Sequence, residues 1–199
     1  EILVRAGSGL AGSGDPAAEP ALRLAALSAP SFAPARLHYG AFLVRSGLMD
    51  EGMEELKAAV ELDPDDAEAH RELGIGYHLW GRQEQAIAEV ERAVELDDTD
   101  AESRLLLALL LLALTEDIPR AAEHLHAALA STMEDAEIQL LSALAFGLVG
   151  WMDEAWLAVS RAETATEPAD PVLVREVEEA LEDGEAAIRA LLLDDMAPM

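Results

Sequence analysis

The sequence contains no cysteine, and Lys57 is its one lysine beside twelve arginines. The absence of cysteine excludes disulfide bonds, thiolate metal sites and cysteine nucleophiles. A chain without cysteine suits a reducing compartment, so we expect a cytoplasmic protein.

Positive charge is also scarce, because 13 Lys and Arg residues stand against 40 Asp and Glu residues and the formal net charge is −27. A field of this sign repels nucleic-acid phosphates and anionic lipid, and binding to nucleic acid depends on basic side chains that displace counterions. We therefore expect no nucleic-acid partner. The acidity and the shortage of lysine fit a high-salt habitat and GC-rich coding equally well.

Hydrophobic runs long enough to cross a membrane are missing as well. The longest apolar run is Leu105–Leu114, and charged residues lie close to both of its ends. As a helix this run would rise roughly 15 Å, whereas the bilayer core is about 30 Å thick. Residues 1–15 lack the basic-then-apolar order of a secretory signal. The sequence therefore predicts that no segment enters a membrane.

An internal repeat of 34 residues dominates the rest of the sequence. When the first unit is laid over the second, Gly40 falls on Gly74 and the segment AVELD falls on an identical AVELD. Within each unit apolar residues recur every three or four positions, which is typical of amphipathic helices, and a glycine or polar break divides the unit in two. The predicted units are residues 33–66, 67–100, 101–135 and 136–169.

The repeat resembles the tetratricopeptide repeat family in its length and in the spacing of small and large residues. The second unit carries the resemblance best, with His70 in place of the family's tryptophan and the following matches: Leu73, Gly74, Tyr77, Ala86 and Ala93. The resemblance implies an all-α, right-handed solenoid of helix-turn-helix repeats. Each unit alone leaves an apolar face open, so that stacking supplies the core.

Degenerate copies flank the four units. Residues 1–32 resemble a weak N-terminal repeat that is rich in glycine in its first half. Residues 170–199 contain two short predicted helices that break at Gly184, followed by a tail. A solenoid needs a terminal repeat with a polar outer face, so we expect residues 170–199 to contain a C-terminal capping helix pair.

Candidate sites for chemistry are weak. The segment GSGLAG at residues 7–12 fits a dinucleotide-binding glycine pattern, but SGDPAAEP follows it instead of a helix start. His124 and His126 stand about 200° apart on a helix and cannot share a metal ion. Neighbouring carboxylates such as Glu54 and Glu55 point apart on a helix. We therefore predict no catalytic residue, no metal site, no cofactor and no enzymatic activity.

The resemblance also implies a binding surface, because in this family the first helix of each repeat lines a concave groove that receives a partner segment. Arg71 alone does not make a clamp for partner carboxylates, so the expected partner is an apolar or amphipathic protein segment whose basic residues meet the acidic rim. The predicted groove residues are Leu37, Ala41, Val44, Arg71, Ile75, His78, Leu105, Leu109, Leu112, Leu140, Leu144 and Leu148.

The leucine-rich helix admits other interpretations. Neighbouring helices of the chain could cover its apolar face, or a second copy could cover it in a homodimer. The favoured function is a non-catalytic protein–protein interaction scaffold. The alternatives are the repeat portion of a larger enzyme or assembly factor, which the missing initial methionine favours, and a homo-oligomerising structural module.

Overall fold

The structure is a computed structural model that describes residues 2–12, 15, 17–115, 117–131, 136–165 and 167–195. Helices make up nearly all of this part of the chain, which confirms the predicted all-α fold. In chain order they are α1 (Ile2–Gly12), α2 (Ala18–Ser28), α3 (Ala33–Arg45), α4 (Met49–Leu62), α5 (Ala67–Leu79), α6 (Gln83–Leu96), α7 (Ala101–Leu114), α8 (Ile118–Ser131), α9 (Ala136–Leu148), α10 (Met152–Thr164), α11 (Pro171–Asp183) and α12 (Glu185–Asp195).

The helices pack in consecutive pairs, and each of the four predicted repeat ranges contains one pair. Three of the turns inside a pair share one geometry, with Gly47, Gly81 and Gly150 at φ values of 79°, 75° and 78°. Leu48 N donates to Leu43 O at 2.9 Å, and Gly47 N donates to Val44 O at 3.0 Å. This is the Schellman arrangement, which requires a left-handed residue that glycine adopts without steric cost.

Small residues allow the two helices of a pair to approach closely. A Cβ atom added to Gly40 would lie 2.9 Å from Leu56 Cγ, and one added to Gly74 would lie 2.5 Å from Val90 Cγ2. Ala108 and Ala143 occupy the equivalent places in the next two pairs and are fully buried. The repeated small residue in the sequence therefore marks the crossing of the two helices.

Aspartates start several first helices. The Asp66 carboxylate accepts hydrogen bonds from Glu68 N at 3.0 Å and Ala69 N at 3.3 Å. Asp100 accepts from Glu102 N at 3.1 Å in the equivalent place of the following repeat. These side chains satisfy backbone donors that the first turn of a helix leaves without partners.

The chain divides into two compact units after residue 96. Unit 1 contains α1–α6, and its core includes the fully buried Met53, Leu56 and Val90. Unit 2 contains α7–α12.

In unit 2, helices α11 and α12 both pack against α9. They do so at Gly147, where an added Cβ would lie 2.5 Å from Leu181 Cδ2 and 2.8 Å from Ile188 Cδ1. The opposite side of α11 exposes Arg175, Glu176 and Glu179 to solvent. This polar outer side is what a terminal helix pair of a repeat protein requires.

Candidate partner-binding surface

The predicted groove residues fall into two groups. Four of them are half-buried: Arg71, Ile75, His78 and Leu148. The other eight are buried: Leu37, Ala41, Val44, Leu105, Leu109, Leu112, Leu140 and Leu144. A partner could reach this second group only if the helices moved apart, so its role in binding stays a prediction.

Helix α7 shows why the expected groove leucines lie inside. Leu105, Leu109 and Leu112 are 4%, 8% and 7% exposed, while Leu107 and Leu111 on another side of the same helix are also buried. Helix α7 packs against both α8 and α9 of unit 2. A helix that is apolar on nearly all sides is a core helix. The burial of the Leu105–Leu114 run fits the interpretation that helices of the chain cover it.

In unit 1 the accessible part of the expected groove lies on α5. Arg71, Ile75 and His78 are spaced four and three residues apart, so they occupy one side of the helix, which we call the α5 face. His78 Nδ1 lies 3.0 Å from Gln83 Oε1 on α6. This face therefore offers one aliphatic side chain between two polar ones.

An ion pair borders the α5 face. Arg45 on α3 donates from Nη2 to both carboxylate oxygens of Glu72, at 2.8 and 2.9 Å. Glu72 and Ile75 are three residues apart on α5 and are neighbours on its surface. The pair joins the first helices of two successive repeats and holds negative charge beside Ile75.

Basic and aromatic side chains meet at the C-terminal end of α5. Lys57 Nζ lies 5.6 Å from the ring centroids of both Tyr77 and Trp80, and Arg82 Cζ lies 4.2 Å from the Trp80 centroid. Cations over an aromatic face are attracted by the ring quadrupole. This cluster fixes the end of α5 against α4 and the following turn.

A recurring polar contact holds the turn that precedes three of the repeats, and we call it the turn clamp. Arg36 Nε donates to Pro30 O at 2.7 Å, and Arg104 Nε donates to Asp98 O at 2.6 Å. In the repeat between them His70 Nε2 lies 3.1 Å from Pro64 O. Each contact reaches back six residues, and the three contacts are 34 residues apart.

The first two turn clamps also reach the second helix of their repeat. Arg36 Nη1 lies 2.7 Å from Glu55 Oε2, and His70 Nδ1 lies 2.7 Å from Glu89 Oε2. The sequence contained a signal for this arrangement, because both the basic residue and the glutamate recur after 34 positions. His70 therefore forms polar bonds at the position where the family has a tryptophan.

Two groups have perturbed titration. Burial raises the pKa of the Tyr39 hydroxyl above 10.0, and nearby Glu19, Glu55 and Glu51 act in the same direction against Arg23. The Thr99 hydroxyl donates to Asp97 at 2.7 Å and holds the pKa of that carboxyl below 3.8, together with the Thr99 backbone N–H at 2.9 Å. Both effects come from local structure and do not form a reactive centre.

The glycine pattern at residues 7–12 lies inside helix α1, whereas a dinucleotide loop precedes its helix. Across the described ranges, no three His, Asp or Glu residues converge in a way that could hold a metal ion. None of the helices in these ranges is long and apolar enough to cross a bilayer.

The sequence matches the family model described as the tetratricopeptide repeat over residues 32–75, which span the first helix pair and most of α5. The chain carries tetratricopeptide repeats. Curated protein sequences contain no match to it.

Solved structures of other proteins show the same tetratricopeptide repeat fold. The thermophilic TPR protein TTC0263 of Thermus thermophilus superposes with a TM-score of 0.79 at 23% identity, covering 91% of this chain and 98% of that one. MamA gives a TM-score of 0.61 at 22% identity over 89% and 96% of the two chains. YrrB gives 0.58 at 17% identity over 89% and 90%. At these identities the likeness concerns the fold.

Proposed function

We propose that this protein is a non-catalytic scaffold that binds an apolar or amphipathic segment of a partner protein through the α5 face. The observation that carries the proposal is the placement of Ile75, half-buried between Arg71 and His78 on the first helix of a tetratricopeptide repeat. A preformed helix surface with one aliphatic residue and a polar border suits recognition by an amphipathic segment. YrrB, which shares the fold, is a TPR protein with an unusual peptide-binding site.

Charge selects the partner segment. Glu72 borders the α5 face, Glu68 is exposed in the first turn of the same helix, and Asp63 and Asp65 are exposed in the turn before it. The net charge of −27 adds a long-range field of the same sign. Such a surface attracts cationic segments and repels acidic ones, so the partner should carry Lys or Arg beside its apolar residue.

The alternative of a homo-oligomer held by the leucine-rich face receives less support. Leu105, Leu109 and Leu112 are buried within the single chain, and an interface through them would require α7 to separate from its neighbours. Two chains of the same strong negative charge also repel each other. A foreign, basic partner therefore fits the described surface better than a second copy.

A peptide selection tests the proposal. A phage-displayed library of short peptides is selected on the immobilised protein at moderate salt, and the enriched sequences are measured for binding to variants. We expect enriched peptides to combine an aliphatic or aromatic residue with Lys or Arg. Ile75→Glu should weaken their binding at least about 10-fold, because it removes buried apolar area from the contact.

Ile87→Glu is the matched control, since Ile87 is also half-buried but lies on α6, the second helix of the same repeat. It should leave binding within about two-fold of the unsubstituted protein, a difference of less than about 1 kcal/mol. Enriched peptides that bind Ile75→Glu as tightly as they bind Ile87→Glu would exclude the α5 face. Acidic enriched peptides would contradict the predicted partner chemistry.

A further inference from the structure

The turn clamp of the second repeat differs from the other two in its chemistry. Arg36 and Arg104 carry guanidinium groups, which stay charged throughout the physiological pH range. His70 occupies the same place with an imidazole, whose ordinary titration lies between about pH 5 and 8. One of three equivalent contacts is therefore built from a group that can lose its proton under mild conditions.

Both ring nitrogens of His70 face acceptors. Nδ1 lies 2.7 Å from Glu89 Oε2, and Nε2 lies 3.1 Å from the carbonyl oxygen of Pro64. A carbonyl oxygen only accepts, and an ionised carboxylate only accepts. A neutral imidazole has one N–H and can satisfy one of the two contacts. The geometry thus requires an additional proton, carried either by the imidazole as an imidazolium ion or by Glu89 as a carboxylic acid.

The surroundings of His70 favour retention of that proton. From α6, Glu89 contacts the ring, and Arg92 pairs with Asp65 in the same turn that holds Pro64, at 3.3 Å. Asp66 in that turn caps α5, and Arg71 and Glu72 follow His70 on its own helix. Helices α3 and α4 send no charged side chain into hydrogen bonding or ion pairing with His70 within the described residues. Carboxylates thus outnumber cations around a residue that is only 8% exposed.

We propose that the His70 turn clamp is a pH-sensitive device that weakens the packing of the second repeat as the pH rises. When the His70–Glu89 pair loses its additional proton, the ring keeps one hydrogen bond and leaves either Pro64 O or the Glu89 carboxylate without a donor. The turn before α5 then loses one of its links to α5 or α6. The clamps of Arg36 and Arg104 do not change, so the effect is confined to the second repeat.

The test compares the pH dependence of unfolding in the full-length protein and in His70→Arg, which keeps a donor for each acceptor and cannot titrate. Trp151→Phe and Trp156→Phe are introduced into both proteins, so that Trp80 fluorescence reports unit 1. The Tm of His70→Arg minus that of the parent should increase by about 3 °C or more between about pH 5 and 8. Subtraction removes the pH dependence that both proteins share through their other charges.

Arg36→His supplies the reciprocal variant, because it places an imidazole in the first turn clamp opposite Glu55. It should lose stability relative to the parent over the same pH range. The ring nitrogens of His70 give a measurement that needs no variant, since 15N NMR at about pH 5.5 should show the imidazolium form with both ring protons protected. Differences in Tm that stay constant between about pH 5 and 8, or a neutral His70 ring at about pH 5.5, would overturn the proposal.

Discussion

Arg45 on α3 and Glu72 on α5 form an ion pair between the first helices of two successive repeats, with Arg45 Nη2 2.8 Å from one carboxylate oxygen and 2.9 Å from the other. The two side chains differ in their surroundings, because that of Arg45 is 52% exposed and that of Glu72 is 12% exposed. Removing the arginine therefore leaves a mostly buried carboxylate, whereas removing the glutamate leaves an arginine in water.

This asymmetry predicts unequal effects of the two single substitutions. Arg45→Ala should destabilise the protein by about 1 kcal/mol, and Glu72→Ala by less. The double variant should be less destabilised than the sum of the two, with a coupling of about 0.5 kcal/mol or more. Urea unfolding of the four proteins measures these quantities. Equal single effects that add without coupling would show that the pair contributes nothing to stability.

Gly74 provides a test of the helix crossing. A Cβ atom at this position would lie 2.5 Å from Val90 Cγ2 and 3.2 Å from Ala86 O, so Gly74→Ala should force the helices apart at a cost of about 1–3 kcal/mol. Gly9→Ala is the matched control, because Gly9 is exposed in helix α1 and its Cβ would meet nothing within 4 Å.

The Gly9→Ala control should be neutral or stabilising by up to about 1 kcal/mol, since alanine favours a helix more than glycine does. Thermal unfolding followed by circular dichroism distinguishes the two variants. If Gly74→Ala were no less stable than Gly9→Ala, the close approach of α5 and α6 would be wrong.

Leu109 distinguishes a core residue from an exposed groove residue. Because it is only 8% exposed on α7, Leu109→Ala should destabilise unit 2 by about 2–5 kcal/mol, and Leu109→Glu should cost more because it buries a charge. Ala113→Glu lies on the exposed side of the same helix and should change stability by about 0.5 kcal/mol or less. Urea unfolding compares the three variants, and similar stabilities of the two glutamate variants would show that Leu109 faces solvent.

Asp97 gives a prediction on the acid side. Its pKa is lowered in the folded protein, so its contribution to stability is complete above the ordinary value of 3.8 and is lost as the pH falls through the lower folded-state value. Thr99→Ala removes the hydroxyl that donates at 2.7 Å, and the pKa of the Asp97 carboxyl should rise toward 3.8. A 13C NMR titration of the carboxyl measures this change. An unchanged titration would show that the hydroxyl has no part in the shift.

The sequence predicted the helix pairs because their determinants are local and repeat every 34 residues. Glycine follows several first helices where a left-handed residue is required, and aspartate precedes the next first helix where backbone donors need a cap. The small residues at positions 40 and 74 have the same origin, since they lie where two helices cross.

The exposure of the groove residues could not be predicted in the same way. Periodicity indicates which side of a helix is apolar, but it does not specify how closely the first helices of successive repeats pack. Leu37 of α3 and Leu144 of α9 are therefore buried, while Ile75 at the equivalent place on α5 is half-buried. The polar role of His70 was hidden because its two partners are distant in sequence, Glu89 by 19 residues and Pro64 by six.

The most direct test of the proposed function is an amide NMR titration of the full-length protein with a selected basic, amphipathic peptide. The account predicts that the largest shift changes occur at Arg71, Ile75 and His78 and that added salt weakens the interaction. It also predicts that the amides of Leu105, Leu109 and Leu112 change little, because their side chains stay buried. Shift changes concentrated on α7, or on a surface that lacks α5, would contradict the account.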